Sequence, residues 1–300
     1  MAATRGGFHQ LIAPGLASIF FRNLTVIKNE SEKWINIMKS KRAFEDELKI
    51  AGLGTMIQKG EGAQYVFDDP IQGSTVRYTH LTYGLAFRVT KEMFEDDLYG
   101  VMNKMSAELA KAAAYNKDVR ATTVLNNAFD SNFTGLDGVE ACSTAHTNLG
   151  GGTQSNHIAT NADMDLPSIQ EGIEKFESWT DDRGFEVMTE PEWLIHATGD
   201  IWTAGEILES EFVPTSGDNA KNIVRSKYGI KPMHLRHLTD TDAYFIVAKK
   251  GDHDMKQWRR VGDQFRSATD PYNDDSIFTA RHRISNGHGD WRGLWGSPGA

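Results

Sequence analysis

The stretch from Thr90 to Asp130 constrains the fold most, because it contains no proline and only one internal glycine, Gly100. Its apolar residues recur at helical spacing and form a stripe at Phe94, Leu98, Val101, Met105, Leu109, Ala112 and Val119. Thr90 is a suitable N-cap, and acidic residues crowd the first turns. We therefore predict one helix of about 60 Å at 1.5 Å per residue, which is longer than the core of a compact domain requires.

The composition is that of a folded protein, with 39% hydrophobic and 24% charged residues. The formal net charge of −9 does not favour general attraction to nucleic acid or to an anionic membrane. Cys142 is the only cysteine, which excludes an intrachain disulfide and a thiolate-rich metal site. The apolar segment from Leu11 to Ile27 is interrupted by Pro14, Gly15 and Arg22, so we expect neither a membrane span nor a secretory signal.

The segments before the long helix predict an arm, a short helix and a hairpin. The first 30 residues mix glycine, proline and apolar residues, and we expect an arm that settles on another surface. Ser31 to Leu48 has the apolar spacing of one or two short amphipathic helices. We then predict strands at Ala63 to Asp68 and Ser74 to Val89, joined by a polar turn at Asp69 to Gly73. Neither face of this hairpin is consistently apolar, so we expect it to need a partner such as another subunit.

The segments after the long helix predict a small α/β block and a closing strand. Asp165 is the expected cap of a helix that has Pro167 near its first turn and is followed by the turn DDRG at residues 181–184. Asp200 is the expected cap of a second helix. The predicted strands are 193–197, 222–235, 244–248 and 278–284.

Common catalytic motifs are absent from the sequence, which contains no GxxxxGK[ST], GxSxG, HExxH or CxxC pattern. His234 and His237 have no third metal ligand nearby. His146 follows Cys142 by four residues in a Ser/Thr-rich loop, but no orienting third residue accompanies the pair. We interpret these residues as structural.

Two acidic pairs and an Arg/Trp-rich ending also have simpler interpretations than chemistry. Asp163 with Asp165, and Asp68 with Asp69, lie beside prolines at a helix start and a turn, where aspartate favours capping. The C-terminal segment contains Arg281, Arg283, Trp291, Arg292 and Trp295, which could stack on nucleic acid. We favour tryptophans that complete a core and arginines that pair with the acidic excess. The sequence therefore predicts no catalytic residue, no metal ligand and no cofactor.

Four separated segments carry a family resemblance. They are YVFDDPIQGSTVRYTHLTYGLAFRV leading into Thr90, STAHTN at residues 143–148, LTDTDAYFIVA at residues 238–248 and RHRISNGHGDWRG at residues 281–293. In this order they resemble the extended loop and spine helix, an internal loop, a buried strand and the ending of tailed-bacteriophage major capsid proteins. The resemblance is to the Hong Kong 97-type fold, in particular its Mu-like major head subunit branch.

The resemblance implies an α+β chain with defined parts. These are an N-terminal arm (1–30), the start of the P-domain (31–52), an extended E-loop hairpin (53–89), P-domain with spine helix (90–145), an A-domain (146–243), and P-domain strands with the C-terminal tail (244–300). It implies a major capsid protein that forms hexamers and pentamers of an icosahedral shell around double-stranded DNA, without sequence-specific DNA contacts. The expected location is the virion, after synthesis in the host bacterial cytoplasm, with no membrane contact.

The resemblance also implies partners and contact residues. A portal, a separate scaffolding protein and a decoration protein are expected partners; the arm is reached within about 25 residues, which leaves no room for a built-in scaffold domain. The expected inter-subunit contacts are Phe20, Phe21, Tyr65, Phe67, Asp69, Pro70, Arg77 and Tyr78. Some relatives join subunits covalently through an E-loop lysine, but here Lys59 lies near the base of the predicted hairpin and none lies at its tip. We therefore expect noncovalent assembly.

Two alternatives remain open at this point. An encapsulin-like compartment would use the same fold to enclose a cargo enzyme instead of DNA. A soluble hydrolase would use His146, His157 or the acidic pairs.

Overall fold

The computed structural model describes residues 9–96, 100–213 and 220–300. The α-helices are α1 His9–Val26, α2 Lys91–Glu95, α3 Val101–Asn126, α4 Leu166–Ser178 and α5 Ile201–Glu209. The strands are β1 Asn36–Lys39, β2 Phe44–Ala51, β3 Ile71–Thr79, β4 Leu81–Val89, β5 His146–Thr147, β6 Thr153–Gln154, β7 Pro191–His196, β8 Lys231–His234, β9 Tyr244–Ala248, β10 Met255–Thr269, β11 Ser276–His288 and β12 Leu294–Ser297. They form two four-stranded sheets, ordered β1-β10-β11-β4 and β12-β9-β7-β8, and the pairs β2-β3 and β5-β6. Mostly antiparallel sheets combined with separate helices make the fold α+β, as predicted.

The prediction of one continuous helix from Thr90 to Asp130 is wrong, because two helices occupy this stretch. Thr90 does cap the first of them, α2, by accepting a backbone hydrogen bond. Residues 97–99 of the predicted helix lie outside the described residues. Gly100 then has φ 64° and ψ 35°, a left-handed conformation that glycine adopts without the Cβ penalty. The second helix, α3, has 26 residues and is therefore about 39 Å long.

The buried face of α3 differs from the predicted apolar stripe. Leu109 is buried as expected, but Met105, Ala112 and Val119 are only partly buried. The buried face consists largely of small and polar residues, among them Ser106, Ala110, Ala113, Ala114, Lys117, Asp118, Ala121 and Thr122. The small residues give other elements close access to the helix. Of the charged ones, Lys117 forms an ion pair with Asp263, and Asp118 accepts hydrogen bonds from the amide and hydroxyl of Ser31. The helical spacing of the apolar residues alone could therefore not identify the buried face.

The described part of the N-terminal arm is helix α1, with Pro14 inside it, packed against α3. Leu16 and Phe20 are buried in the clusters that join α1, α3 and the first sheet. The Ser106 hydroxyl of α3 donates a hydrogen bond to the Leu16 carbonyl at 2.8 Å. The arm therefore settles on its own chain from this point, while residues 1–8 of the predicted arm lie outside the described residues.

A hairpin precedes α2, but its strands are not the predicted ones. The antiparallel partners are β2, which was predicted to be helical, and β3. The segment 63–68 forms no strand, and the predicted turn at 69–73 overlaps the start of β3. Arg77 on β3 donates from Nε and Nη2 to the two carboxylate oxygens of Asp46 on β2, at 2.7 and 2.8 Å. Cross-strand charge pairing of this kind stabilises a ladder that has no apolar face of its own.

The first sheet is built on the long antiparallel ladder between β10 and β11. The register of this ladder shifts twice, between Arg259 and Val261 and between Val261 and Gln264. Such irregularities bend the strand and increase its local twist. Strand β10 was not predicted, because its sequence is polar and has no clean alternation.

The second sheet forms the centre of a deep core with α4 and α5. Strand β9 runs over the predicted residues Tyr244–Ala248, and all of them are buried. Asp165 caps α4 as predicted, forming reciprocal hydrogen bonds with Ser168 at 2.8 and 3.0 Å. A Cβ at Gly172 would lie 2.6 Å from Cδ1 of Ile246, so glycine allows α4 to pack closely on the sheet.

Two predictions in this block need correction. The side chain of Asp200 makes no capping hydrogen bond to α5. Only β8 at Lys231–His234 is a strand within the predicted 222–235, and a π-helical turn at Val224–Tyr228 precedes it.

Candidate functional site

Large apolar side chains are exposed on the segment between β2 and β3, which we call loop 52–70. Met56 and Phe67 are 100% and 93% exposed, and Tyr65 and Val66 are also largely exposed. No residue of loop 52–70 is buried, so these side chains belong to no core of the chain. Several large apolar side chains exposed on one loop are typical of a surface for association. Loop 52–70 is therefore the candidate functional site.

Most of the predicted contact residues lie at or near this loop. Tyr65, Phe67, Asp69 and Pro70 lie on it and are exposed. Arg77 is exposed on β3 in the stem of the same hairpin.

The other predicted contact residues do not share this location. Phe21 is exposed on α1. Phe20 is fully buried, with its ring 5.3 Å from that of Phe265. Tyr78 is buried as well, and its hydroxyl donates a hydrogen bond to the His288 carbonyl at 3.0 Å. Neither Phe20 nor Tyr78 is available to a neighbour in this conformation.

A charged cluster anchors the hairpin stem to the first sheet. Lys256 on β10 forms hydrogen-bonded ion pairs with Glu47 on β2 and with Asp254, the second at 2.6 Å. Although burial opposes it, hydrogen bonds to Asp254 and Glu47 raise the pKa of Lys256. Burial, with the adjacent Glu47 carboxylate, raises the pKa of Tyr78. The stem is thus fixed while the loop beyond it extends into solvent.

His146, the candidate base of the hydrolase alternative, is fully buried and engaged at both ring nitrogens. Nδ1 lies 2.5 Å from Oδ2 of Asp137, and Nε2 lies 2.8 Å from Oδ1 of Asn156. Asn156 donates from Nδ2 to two backbone carbonyls, so its Oδ1 is the acceptor and Nε2 must carry a proton. Both ring nitrogens are therefore occupied by partners within the chain. Against the effect of burial, His146 lowers the pKa of Asp137 by its hydrogen bond and its charge.

This cluster is a structural centre that joins distant segments. The His146 ring stacks on Trp291, with centroids 4.4 Å apart. Cys142 is buried, which raises the pKa of its thiol, and the hydrogen bonds of His146 go to other residues. His157 uses Nδ1 in a 2.7 Å hydrogen bond to the Ile158 carbonyl. These arrangements agree with the structural interpretation of Cys142 and His146.

The Arg/Trp-rich ending also belongs to the folded chain. Trp291 and Trp295 are buried in the core cluster around β9. Arg292 pairs with Asp290 at 2.9 Å and lies 3.5 Å from Asp182. The prediction is confirmed for the two tryptophans, which complete a core, and for Arg292, which forms ion pairs. Arg283 instead donates from Nε to the His80 carbonyl at 3.2 Å, and within the described residues neither Arg281 nor Arg283 forms an ion pair.

The remaining sequence candidates do not assemble into a chemical site. His234 lies at the end of β8, opposite His196 on β7, while His237 packs edge-on against Tyr115. Within residues 9–96, 100–213 and 220–300, no group of three or more His, Cys, Asp or Glu side chains is arranged to hold a metal ion. None of the helices in the described parts of the chain has the length and apolar character needed to cross a bilayer.

Sequence reasoning missed the contacts at the two ends of loop 52–70. Arg183, in the turn DDRG, donates hydrogen bonds to the backbone carbonyls of Gly52 and Asp69. The turn itself was visible in the sequence, but its partners are more than a hundred positions away along the chain. No local signal connects them.

A comparison with models of protein families gives a match over most of the chain. A family model described as phage capsid protein matches residues 73–296. A search of curated proteins gives no match.

Solved structures with a similar fold include three particle proteins. The capsid of cyanophage P-SCSP1u aligns with a TM-score of 0.61 at 10% identity, covering 90% of this chain and 87% of that one. The procapsid of bacteriophage JBD30 gives 0.56 at 14% identity, covering 98% and 75%. A virus-like particle from Pyrococcus furiosus gives 0.53 at 8% identity, covering 94% and 97%. At these identities the likeness establishes the fold.

Proposed function

The chain belongs to the phage capsid protein family and has the Hong Kong 97-type fold, and from this premise we propose that it forms hexamers and pentamers of an icosahedral head around double-stranded DNA. As a capsid protein, it is a structural component of the virion that associates with copies of itself. The capsomer types and the DNA content are the proposed part. The resemblance of segments 143–148 and 281–293 supports the Mu-like branch as the finer assignment.

The observation that carries this proposal is the exposure of loop 52–70. Burying apolar surface gains about 25 cal/mol per Å², so the exposed side chains of Met56 and Phe67 favour any arrangement that covers them. A second copy of the chain can cover them in every subunit of a closed assembly, because each copy carries the same loop. The proposed contacts are Phe21, Tyr65, Phe67, Asp69, Pro70 and Arg77.

The domain division is proposed with one adjustment. A boundary between residues 243 and 244 separates β9 from β7, although the two strands pair within one sheet. Strand β12 pairs with β9 and contributes Trp295 to the same core. We therefore assign β9 and β12 to the sheet of the A-domain (146–243), and keep the other proposed parts as given.

Further partners are proposed from the family resemblance. They are a portal, a scaffolding protein and a decoration protein, with assembly taking place in the host bacterial cytoplasm. Lys59 was expected near the base of the hairpin, but it lies on loop 52–70 beside the turn at 60–63. We still propose noncovalent assembly, since Lys59 is engaged over the Tyr65 ring of its own loop, 4.6 Å from the centroid. A ladder of multimers on a denaturing gel of mature shells would contradict this.

The net charge bears on how DNA is retained. With a formal net charge of −9, the chain has no excess of cations to neutralise phosphates. We propose that DNA is held by closure of the shell, without sequence-specific contacts. Opened shells should then release DNA at moderate salt, which a filter-binding measurement would test.

The compartment alternative has less support than the phage head. The similarity to the Pyrococcus furiosus particle concerns the fold, whereas the family model that matches is that of phage capsid proteins. Neighbouring genes for a portal and terminase would favour the phage head, and a neighbouring peroxidase or ferritin-like gene would favour the compartment.

The test is assembly of the purified chain, alone and with the phage's scaffolding protein, followed by electron microscopy and sedimentation velocity. We expect shells from the wild type and loss of shells from Phe67→Ser. Gln64→Ser is the matched control, because it changes an exposed polar residue of the same loop. A wild type that stays monomeric under all these conditions, or a Phe67→Ser variant that assembles as well as the control, would overturn the proposal.

A further inference from the structure

Loop 52–70 must be directed by contacts at its two ends, since none of its residues is buried. One side chain from a distant part of the chain lies at these ends. Arg183 donates from Nε to the Gly52 carbonyl at 2.8 Å and from Nη2 to the Asp69 carbonyl at 2.6 Å. A single planar guanidinium therefore bridges the first and the next-to-last residue of the loop.

The same end of the loop has a second closure that faces Arg183. Oδ2 of Asp68 accepts a hydrogen bond from the Gly54 amide at 2.6 Å, and Oδ1 lies 3.6 Å from Nη2 of Arg183. The pKa of Asp68 is lowered mainly by the hydrogen bond from Gly54, with the Arg183 charge contributing. The two ends of loop 52–70 are thus held together where they join the stem.

Arg183 is itself held in place by the turn that carries it. The carboxylate oxygen Oδ1 of Asp181 accepts hydrogen bonds from the amides of Arg183 and Phe185, both at 2.8 Å. Gly184 has φ 88°, which glycine adopts without strain. An arginine on a fixed turn loses less conformational freedom when it binds than one on a flexible segment.

The neighbouring Asp182 fastens this turn to the hairpin stem and to the body of the chain. Its carboxylate lies 3.2 Å from Nζ of Lys49 on β2; Lys49 is buried and Asp182 is partly buried. Its carbonyl accepts a hydrogen bond from the Gly150 amide at 2.9 Å. A Cβ at Gly150 would lie 2.3 Å from that carbonyl oxygen, so the close approach depends on glycine. These contacts fix the turn to both the hairpin stem and the block that contains α4.

We propose that Arg183 is the positioning residue of loop 52–70, setting the direction in which the loop leaves its own subunit. This rests on the proposed function, in which the loop reaches a neighbouring copy. For positioning the loop, the two hydrogen bonds to the carbonyls matter more than the ion pair with Asp68, because an ion pair with a carboxylate exposed to solvent contributes little. Lysine cannot replace the residue, since one ammonium lacks the planar set of donors that bridges both carbonyls.

The first test measures the loop directly in unassembled chain. Spin labels are attached at Gln58→Cys on the loop and at Glu174→Cys on α4, and labelled chain is diluted with unlabelled chain. The native Cys142 is buried and should not take up the label. We expect a narrow distance distribution in the wild type. In both Arg183→Gln and Arg183→Lys the distribution should broaden, and the share of molecules in the wild-type distance peak should fall about tenfold. Arg42→Gln is the control, because Arg42 is an exposed arginine just before β2 whose one ion pair within the described residues is with Glu45.

The second test measures assembly, and it separates the two proposals. We expect Arg183→Gln to lower the yield of shells under conditions where Arg42→Gln assembles as the wild type does. An unchanged distance distribution in Arg183→Gln, a full return to the narrow distribution in Arg183→Lys, or normal shell yield despite a broadened distribution would each overturn the role of Arg183. Failure of the wild type to form shells would instead overturn the proposed function, and the distance measurement would still decide the role of Arg183.

Discussion

The block around β9 and the hairpin that carries loop 52–70 represent two opposite ways of stabilising a structure. In the block, β9 is buried along its whole length and Trp295 is fully enclosed. In the hairpin, β2 and β3 have mixed exposure, and the loop between them has no buried residue. The block is held by apolar burial, and the hairpin is held by ion pairs and hydrogen bonds at its stem.

If loop 52–70 contacts a neighbouring copy as proposed, stability and assembly reside in separate regions of one chain. Removing apolar side chains from the block should unfold the subunit, because their partners are all in the same chain. Removing them from loop 52–70 should leave the subunit folded, because no residue of this loop is buried in its own chain. Four substitutions test this separation by their effect on the free energy of unfolding of the unassembled subunit.

The largest effect is expected for Trp295→Ala in the block. The fully buried indole packs beside Gly172 and Ile246, and its loss leaves a cavity that costs about 3–5 kcal/mol. Trp202→Ala on α5 is the matched control, since that indole is 83% exposed. Urea unfolding followed by circular dichroism measures both. Similar losses in the two variants would remove the distinction between block and surface.

His288, beside the hairpin stem, should make the subunit sensitive to acid. Burial lowers its pKa from 6.5 to about 4, and among the described residues none shares a hydrogen bond with its Nε2. Because the unfolded chain binds the proton first, the stabilisation is complete above pH 6.5 and is lost as the pH falls to about 4, by up to about 3 kcal/mol.

His288→Gln should therefore flatten the dependence of unfolding free energy on pH between 6.5 and 4. Some dependence will remain, because burial also lowers the pKa of His80, His196 and His253. Urea titrations at a series of pH values measure the slope. An unchanged slope in the variant would show that protonation of His288 does not contribute to the pH dependence of the unfolding free energy.

A smaller effect is expected for the ion pair between Lys117 of α3 and Asp263 of β10. Against the effect of burial, hydrogen bonds and charge from His282 and Lys117 lower the pKa of Asp263 to about 2. Lys117→Met should cost about 1–2 kcal/mol at neutral pH, allowing for solvent screening. This cost should fade as the pH drops from about 4 towards 2, where Asp263 becomes protonated in the folded state as well.

Lys111→Met on the same helix is the control for this pair. Lys111 and Glu108 form an exposed pair three residues apart, which contributes little to stability. Thermal unfolding at pH 7 and at pH 3 compares the two variants. A loss of stability in Lys111→Met equal to that in Lys117→Met would contradict the assignment of a buried pair.

The smallest effect is expected for Phe67→Ser in loop 52–70. The ring is 93% exposed and packs on no core, so unfolding should change by no more than about 0.5 kcal/mol. The same variant is expected to lose shell assembly. A large loss of subunit stability would mean that the loop folds back onto its own chain, and the separation of the two regions would fail.

Within the block, the sequence predicted β9 and the start of α4 correctly because these elements are encoded locally. The apolar run YFIVA is β9, and the capping residue Asp165 marks the start of α4. The hairpin was misplaced because Phe44 and Leu48 have helical spacing, while the pairing of β2 with β3 depends on residues about thirty positions apart. Alternating Tyr65 and Phe67 imitated a strand, although both are simply exposed.

The candidate site was predicted in part for the same physical reason. Exposed aromatic residues on the loop could be identified, since no apolar partner pattern surrounded them. The burial of Phe20 and Tyr78 could not, because their partners on β10 and β11 are more than two hundred positions away. The role of Gly100 was also hidden, since a glycine inside a helical pattern does not reveal whether it adopts a left-handed conformation.

The two register shifts in the β10–β11 ladder have a geometrical consequence for tiling. Each shift adds twist, so the ladder is a warped ribbon and not a planar one. Identical flat tiles cover a plane indefinitely, whereas tiles that each carry a fixed warp meet their neighbours at an angle. Curvature can therefore begin in the backbone of each copy, through the register of its two longest strands.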